Sequence, residues 1–318
     1  MLAELGVFGF PVSEDLGGIG GCAQDVSDAL RVLARGLLLE PLIECAVIAA
    51  AILRAGPDAE SALGEMIAGD VLTVLVGGRN GDDLRCSVDS DAFRISGHLR
   101  VVPGAGQADT WLIACTDDKG VLRLLRVARK DIDANVESYR LMDGRQASDI
   151  EFKSARVPAA CLWLEAAAAE RALADAAAAA VGAYCADVVG VMQELVAITR
   201  DYLRTREQFG VVLSSFQALQ HRFADMHIAA VEVRSIARAM ARSIDNGDAE
   251  NTQWLRYAAP AVVARCSARV GHDAIQLHGG MGVTDELIVT HYNSRIVVLN
   301  KLLSRWAADP VALSAKTS

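Results

Sequence analysis

The sequence predicts an α+β fold with a short N-terminal helical domain, a middle β-domain and a C-terminal four-helix bundle. Three observations carry this prediction. Residues 1–68 combine glycine and proline punctuation with helical spacing, residues 69–162 contain short β-rich runs, and residues 163–318 carry long apolar stripes at helical spacing. With 318 residues, of which 52% are hydrophobic and 22% charged, the chain can build a packed core in one large domain or in two to three small ones.

The first zone has helical spacing and no targeting signal. The spacing is clearest at Val26, Leu30, Leu33 and Leu37. The N-terminus lacks a basic region before its apolar residues, and the apolar stretch between Glu44 and Arg54 is too short to span a bilayer. The seven cysteines are dispersed and form no C-x-x-C pair, which is typical of reduced core thiols. We therefore expect a cytoplasmic protein without a membrane partner.

The middle zone is predicted to be a small antiparallel β-domain. Gly and Asp turn signals separate its runs of β-branched and aromatic residues. The runs are "VLTVLV" (71–76), "AFRIS" (92–96), "TWLIACT" (110–116), "VLRLLRV" (121–127) and "SDIEF" (148–152).

Three long helices are predicted after residue 163. The first carries a stripe of Val181, Tyr184, Val188, Met192, Leu195 and Tyr202. The second carries Phe216, Leu219, Phe223, Met226, Ala230, Val233, Ala237, Met240 and Ile244, and ends at Asn246-Gly247. The third extends from about Thr252 to Leu277. Because the flanking helices carry matching stripes, an antiparallel bundle is favoured over a coiled coil.

The net charge of −9 argues against a nucleic-acid partner, which needs clustered Lys and Arg, and is compatible with a soluble enzyme. No His lies at metal-ligand spacing from a Cys, so no metal site is expected.

Three motifs resemble the acyl-CoA dehydrogenase family. The segment "YLRTREQFGVVLSSFQALQHRFADM" (202–226) is similar to a Tyr followed by R-x-Q-F-G and F-Q-A-x-Q-H-x-x-A-D-M. "QLHGGMGVTDE" (276–286) is similar to Q-x-H-G-G-x-G-[FY]-T, and "LGVFGFPVSEDLGGIGG" (5–21) to L-G-x-x-G-x-x-x-P-E-x-x-G-G. The motifs occur in family order and cover nearly the whole chain. The resemblance implies the acyl-CoA dehydrogenase fold with a truncated N-terminal domain, since family chains usually carry further helices before this segment.

The resemblance also implies contact with FAD, typically a cofactor held mainly by the neighbouring subunit. Arg206 has a permanently charged, forked donor suited to a pyrophosphate, and Gly279-Gly280 lets the backbone approach closely. The alternative is a helix cap at Arg206 and a simple turn at the glycines; for His278, neutral packing is an equal alternative. The expected FAD-contacting residues are Arg206, Gln208, Phe209, Gln217, Gln276, His278, Gly279 and Gly280.

No catalytic residue is recognised in this chain. The family reaction removes the α-proton of an acyl-CoA with a carboxylate and passes the β-hydrogen to the flavin as hydride. The usual position of that carboxylate aligns with Leu302 or Leu303, and a second position, ten residues before Gly190, is Ala180. Nearby acidic residues, expected to be solvated, hinge-side or in a helix N-terminal turn, are Glu170, Asp175 and Asp187.

The β-domain also departs from the family pattern. Family members hold the isoalloxazine ring with a T-E-P-x-[AG]-G-S-D loop and a W-I-[TS]-N-like strand. The corresponding segments are "VGGRNGDDL" (76–84) and "GHLRVVPGAGQAD" (97–109), which provide neither the hydroxyl donors nor the Trp. The arginines of this zone are expected to be solvated rather than to face a CoA phosphate; they are Arg79, Arg94 and Arg100.

This asymmetry predicts one subunit of a heterotetrameric α₂β₂ acyl-CoA dehydrogenase, inactive alone, whose partner subunit carries the catalytic Glu. The resemblance implies FAD as cofactor, an acyl-CoA substrate, by family habit a steroid side-chain thioester, and an electron-transfer flavoprotein as acceptor. Alternatives are a self-sufficient homomeric acyl-CoA dehydrogenase with an unrecognised base, a flavin-dependent monooxygenase of the same fold, and a non-catalytic scaffold.

Overall fold

A computed structural model describes residues 3–284 and 286–308 of the chain. It divides into two compact units: the residues up to Cys22 together with Leu39–Ala180, and Ala23–Leu38 together with the chain from Val181 onward. The three zones predicted from the sequence match the order of secondary structure along the chain, which is helix, then strands, then helix. The compact units differ from those zones, because residues 23–38 group with the C-terminal helices and the boundary falls inside one long helix.

The first unit is built on an eight-stranded sheet. Its strand order is β6-β7-β3-β2-β4-β5-β8, with β1 beside β4. Large apolar side chains such as Trp111, Ile113 and Leu125 are fully buried in the hydrophobic core of this unit. The strands are β1 (Thr73–Val76), β2 (Arg85–Val88), β3 (Ala92–Pro103), β4 (Thr110–Asp117), β5 (Leu122–Ala128), β6 (Asn135–Arg140), β7 (Gln146–Pro158) and β8 (Leu162–Glu165).

All five predicted β-runs lie in strands of this sheet, namely β1, β3, β4, β5 and β7. The expectation of a purely antiparallel domain was wrong, because β1 and β2 both pair in parallel with β4. Three strands lacked a sequence signal. The edge strand β6 has no buried side chain, β2 buries only Cys86, and β8 continues the sheet past the boundary predicted at residue 162.

Two helices accompany the sheet in the first unit: α2 (Ile43–Leu53), which begins as a π-helix over Ile43–Ala49, and α3 (Ala59–Ala68). Every side chain of α2 is buried, which explains the apolar stretch that the sequence shows between Glu44 and Arg54.

The second unit is a helical bundle. The predicted stripes face its interior, and none of their residues is exposed. The apolar part of the longest helix is 72% buried within the protein, as in the core helix of a bundle. The helices are α1 (Ala23–Leu33), α4 (Ala166–Thr205), α5 (Gln217–Asp245), α6 (Ala249–His278) and α7 (Ile288–Ser304). The three predicted long helices are α4, α5 and α6, and the shorter α7 lacked a sequence signal.

Helix α1 belongs to this bundle through specific contacts. The carboxylate of Asp245, at the end of α5, accepts hydrogen bonds from the backbone N–H groups of Ala23 and Gln24, at 2.6 and 3.1 Å, and so caps the start of α1. At the other end, α1 lies directly against Gly190 of α4. The absence of a side chain at Gly190 therefore sets how closely the two helices approach.

We expect Gly190→Ala to destabilise the protein by about 1–3 kcal/mol. A Cβ atom there would lie 2.2 Å from the carbonyl oxygen of Arg31, so backbone must shift. Gly182→Ala, on the same helix, is the matched control: its Cβ meets only Ile244 and Met240 side-chain atoms at 3.6 and 3.8 Å. Because alanine favours helix by up to about 1 kcal/mol over glycine, the control should be neutral or stabilising. Urea unfolding of both variants measures the difference, and equal effects would contradict the close approach.

Candidate functional site

Residues 206–212 form a tight β-hairpin between α4 and α5. Strands β9 (Glu207–Gln208) and β10 (Val211–Val212) pair across a two-residue turn, in which Phe209 and Gly210 have φ of 56° and 79°. Two positive φ angles are the requirement of a type I′ turn. A phenylalanine in this conformation is strained by roughly 1–3 kcal/mol, and its side chain is 92% exposed. A strained, exposed aromatic residue indicates a contact surface.

Arg206 and the start of α5 present positive charge beside this hairpin. The Arg206 side chain is exposed and has no hydrogen bond or ion pair with the described residues, while its carbonyl accepts from Leu213 N–H at 2.8 Å. Helix α5 begins at Gln217, and no side chain caps it. The free N–H groups and the helix dipole at such an end favour an anion. The exposed Gln208 amide donates to the Glu207 carbonyl at 2.9 Å.

The second predicted motif forms the end of α6 and the turn after it. Gly279 adopts φ 62° and ψ −143°, a conformation that suits only glycine. A Cβ added to Gly279 or to Gly280 would meet no atom within 4 Å, so the backbone of both residues borders open space. Gln276 is exposed on the preceding turn. Asp285, within the same motif, lies outside the described residues.

The two motifs meet at a contact between Tyr202 and His278. The ring centroids are 4.3 Å apart with an interplanar angle of 30°, and the Tyr202 hydroxyl donates to the His278 carbonyl at 3.4 Å. For His278, the sequence left open contact with the cofactor and neutral packing. The side chain is packed in the interior, with only 3% of the residue exposed. The ring is buried because it packs on Tyr202, which the sequence marked only as a stripe residue and as the first letter of the motif.

The protonation of His278 follows from its partners. Nδ1 lies 2.8 Å from the Ala274 carbonyl oxygen, which can only accept, so Nδ1 carries the proton. Nε2 is buried without a hydrogen-bond partner. Burial disfavours the charged imidazolium and lowers the pKa of His278 below its ordinary value. The ring is therefore neutral near pH 7.

The two β-domain segments that correspond to the family's isoalloxazine-holding elements are tied to each other. Arg79 was expected to be solvated, but its side chain is 5% exposed. Its Nε donates to Asp82 at 3.0 Å and its Nη1 to the Val101 carbonyl at 3.0 Å. Val101 has a φ of 53°, unusual for a β-branched residue, and its N–H donates to Asp149 at 2.9 Å. Arg79 thus joins the two loops through Nε and Nη1, while its Nη2 is buried without a hydrogen-bond partner. Arg94 and Arg100 are exposed as expected.

The positions at which the family places its base are apolar and buried. They are Ala180 on α4 and Leu302 and Leu303 on α7. Asp175 is exposed, 3.6 Å from Arg54, and Glu170 is exposed on the second turn of α4. Within residues 3–284 and 286–308, no group of three His, Cys, Asp or Glu side chains is arranged to hold a metal ion.

The sequence suggested that Asp187 is a solvated or hinge-side residue, but the structure shows that it is not solvated. It is buried in α4, and its Oδ2 accepts from Arg295 Nη2 at 2.6 Å, with Nε 3.4 Å from Oδ1. Both side chains are 5% exposed. The carboxylate is held by a buried guanidinium, which explains its burial and leaves it poorly placed to act as a base.

Comparison with known proteins agrees with these motifs. Residues 182–300 match the family described as acyl-CoA dehydrogenase, C-terminal domain. The acyl-CoA dehydrogenase IpdE2 of Mycobacterium tuberculosis is 26% identical over 284 residues, which cover 89% of this chain and 74% of that protein.

Solved structures share the fold. The ChsE4-ChsE5 complex from Mycobacterium tuberculosis aligns with a TM-score of 0.85 and 23% identity, over 99% of this chain and 85% of that one. The Tcur3481-Tcur3483 steroid ACAD variant gives a TM-score of 0.82 with the same identity and coverage. A glutaryl-CoA dehydrogenase from Mycobacterium smegmatis in complex with FADH2 gives 0.82 at 19% identity, over 100% of this chain and 86% of that one.

Asp187→Asn should destabilise the protein by about 3–5 kcal/mol, because it removes the negative charge of the carboxylate that is paired with the buried Arg295. The matched control Asp175→Asn should cost no more than about 1 kcal/mol, since that carboxylate is exposed. Urea unfolding gives both values. A stable Asp187→Asn protein that has lost a catalytic activity would instead make Asp187 the base.

Acidification should destabilise the protein through His278. The unfolded chain takes up a proton near the ordinary pKa of about 6.5, whereas folded His278 resists protonation, so stability is full above that pH and falls below it. His278→Phe keeps a ring against Tyr202 and removes the titration. The unfolding free energies of the two proteins, measured from about pH 7.5 to 5.5 around that pKa, should converge as the pH falls. His227→Gln, on the exposed face of α5, should keep the wild-type dependence; parallel curves for His278→Phe and wild type would contradict the assignment.

Proposed function

We propose that this chain, whose residues 182–300 match the acyl-CoA dehydrogenase family, is the subunit of a heteromeric, FAD-dependent member that lacks the catalytic base. The complex would introduce an α,β double bond into an acyl-CoA thioester. This chain would supply FAD-contacting residues to a site whose base lies on the partner subunit. The observation that carries the proposal is a contrast between two sets of residues. One set is exposed, and we call it the ligand-directed surface: Arg206, Gln208, Phe209, Gln217, Gln276, Gly279 and Gly280. The residues at both base positions are apolar and buried.

The residues of this surface fit FAD. The unpaired, exposed guanidinium of Arg206 and the uncapped start of α5 are suited to the pyrophosphate. The open backbone at Gly279 and Gly280 leaves room for a ligand to approach, and the exposed Phe209 ring offers an apolar face. Bound FAD would supply the hydride acceptor of the reaction. The residues of this chain would bind and orient it.

Internal pairing in the β-domain supports the assignment of the base and of most flavin contacts to a partner. Arg79 joins the two loops that would otherwise face a flavin held by this chain. The ChsE4-ChsE5 structure is a complex, and the Tcur3481-Tcur3483 protein is named a steroid ACAD. By analogy, we infer a second acyl-CoA dehydrogenase as partner, a steroid-type acyl-CoA as substrate and an electron-transfer flavoprotein as acceptor.

The burial of Asp187 weakens the alternative of a self-sufficient enzyme, since it removes one of the three candidate bases. Asp175 and Glu170 are the remaining ones, and both are exposed. Substituting each in the purified chain decides between the two functions: an activity of the lone chain that falls about 10²–10⁴-fold in either variant would establish the self-sufficient enzyme.

Flavin stoichiometry tests the proposal most directly. The chain is purified alone and after co-expression with the acyl-CoA dehydrogenase encoded nearest to it, and FAD is read from the visible spectrum. We expect a colourless lone chain and one FAD per pair in the complex. One FAD per lone chain, bleached by an acyl-CoA, would overturn the shared site.

In the complex, Arg206→Ala should weaken FAD binding by about 10- to 100-fold, the usual effect of losing a charge-assisted hydrogen bond of roughly 1.5–3 kcal/mol. Arg238→Ala is the matched control, an exposed arginine on α5 roughly 30 Å from its N-terminus at 1.5 Å per residue. It should leave the FAD dissociation constant unchanged. Equal affinities for both variants would count against a phosphate contact at Arg206.

A further inference from the structure

The backbone and the side chain of Tyr202 each contact a different half of the ligand-directed surface. Its carbonyl accepts hydrogen bonds from the Arg206 N–H at 2.9 Å and from the Thr205 hydroxyl at 3.3 Å. These bonds join the last turn of α4 to the first residue of the hairpin. The position of the Arg206 backbone therefore follows that of Tyr202.

The side chain of Tyr202 reaches the other half. Its ring stacks on His278 at 4.3 Å, and its hydroxyl donates to the His278 carbonyl at 3.4 Å. That carbonyl belongs to the last residue of α6, directly before Gly279. Helix α6 ends at His278, and the turn begins at Gly279, whose backbone conformation is one that glycine tolerates. The direction of the turn therefore depends on the position of the His278 backbone.

His278 has a fixed orientation at this contact. The bond from Nδ1 to the Ala274 carbonyl, one turn earlier in α6, sets the plane of the buried ring. The ring can then meet Tyr202 in one arrangement. The two segments, separated by 76 residues in the chain, are thus held together by the ring contact of Tyr202 and His278 and by the hydrogen bond from the Tyr202 hydroxyl to the His278 backbone carbonyl.

We propose that Tyr202 and His278 are positioning residues that couple the Arg206 hairpin to the Gly279-Gly280 turn, so that both halves engage FAD together. The proposal rests on the proposed function of this surface. Neither ring is required to touch the cofactor: His278 is buried, and Tyr202 is half-buried against it. The consequence is energetic coupling, since a displaced Tyr202 would move the Arg206 donor away from its ligand.

A double-mutant cycle in the co-expressed complex tests this coupling. FAD dissociation constants are measured for Tyr202→Leu, Arg206→Ala and the double variant. We expect Tyr202→Leu to weaken binding about 10-fold, and Arg206→Ala to add less than about 3-fold in that background, well below its effect in the wild type. Tyr202→Phe keeps the stacked ring and should change the constant less than about 3-fold, as the hydroxyl bond is long.

Met192→Ala separates positioning from general loosening of the bundle. Met192 is fully buried on α4, about three turns before Tyr202, so this variant lowers the melting temperature without touching the contact. It should leave the FAD dissociation constant unchanged. A loss of affinity equal to that of Tyr202→Leu would overturn the positioning role.

The remaining outcomes are distinguishable. An Arg206→Ala complex with wild-type affinity would refute the proposed function. Two outcomes would refute only the coupling, provided that Arg206→Ala weakens FAD binding. In the first, Tyr202→Leu has no effect on the FAD dissociation constant. In the second, the free-energy effects of the two substitutions are additive in the double variant. Should Tyr202→Leu yield no folded complex, His278→Leu removes the same stack from the other side and is measured with the same expected and contrary results.

Discussion

The burial of α4 is the constraint on which the helical unit depends. This 40-residue helix is apolar through its middle, and three of its polar or sterically special positions are matched by partners on other helices. Asp187 meets Arg295, Gly190 receives the backbone of Arg31, and Tyr202 meets His278. A buried charge needs a paired counter-charge and a buried backbone contact needs a missing side chain. These three contacts therefore set where α7, α1 and the end of α6 lie.

The same constraint explains why a base is not easily accommodated. Ala180, Leu302 and Leu303 are almost completely buried among apolar neighbours. A carboxylate at such a position would need its own partner or would remain protonated, because desolvation of an unpaired charge is costly. The buried acidic residue that this region contains, Asp187, is already neutralised by Arg295. The buried apolar residues at these positions and the paired Asp187 stabilise the fold and offer no free carboxylate for proton transfer.

Sequence patterns predicted the parts of the fold that depend on neighbours along the chain. The stripes of α4 and α5, the end of α5 at Asn246-Gly247 and five of the strands follow local periodicity and turn chemistry. The motifs identified the exposed surface residues, including Arg206 and Gly279. What could not be predicted depends on long-range pairing. Asp187 and Arg295 are 108 residues apart, and whether an acidic side chain is solvated or buried is decided by such a partner. The strand β6 was missed because an edge strand without buried side chains has no apolar alternation.

Two arginines, one in each unit, differ in how their side chains are paired, and this difference bears on the proposed function. In the sheet unit, Arg79 is buried, and its Nε and Nη1 donate to Asp82 and to the Val101 carbonyl. In the helical unit, Arg206 has no partner among the described residues, and Phe209 is both strained and exposed. Stability alone favours the first arrangement and disfavours the second, since strain and an uncovered aromatic ring each cost free energy. The free-energy cost retained at Phe209 and Arg206, in contrast to the buried and largely paired Arg79, supports the proposal that residues 206–217 contact a ligand.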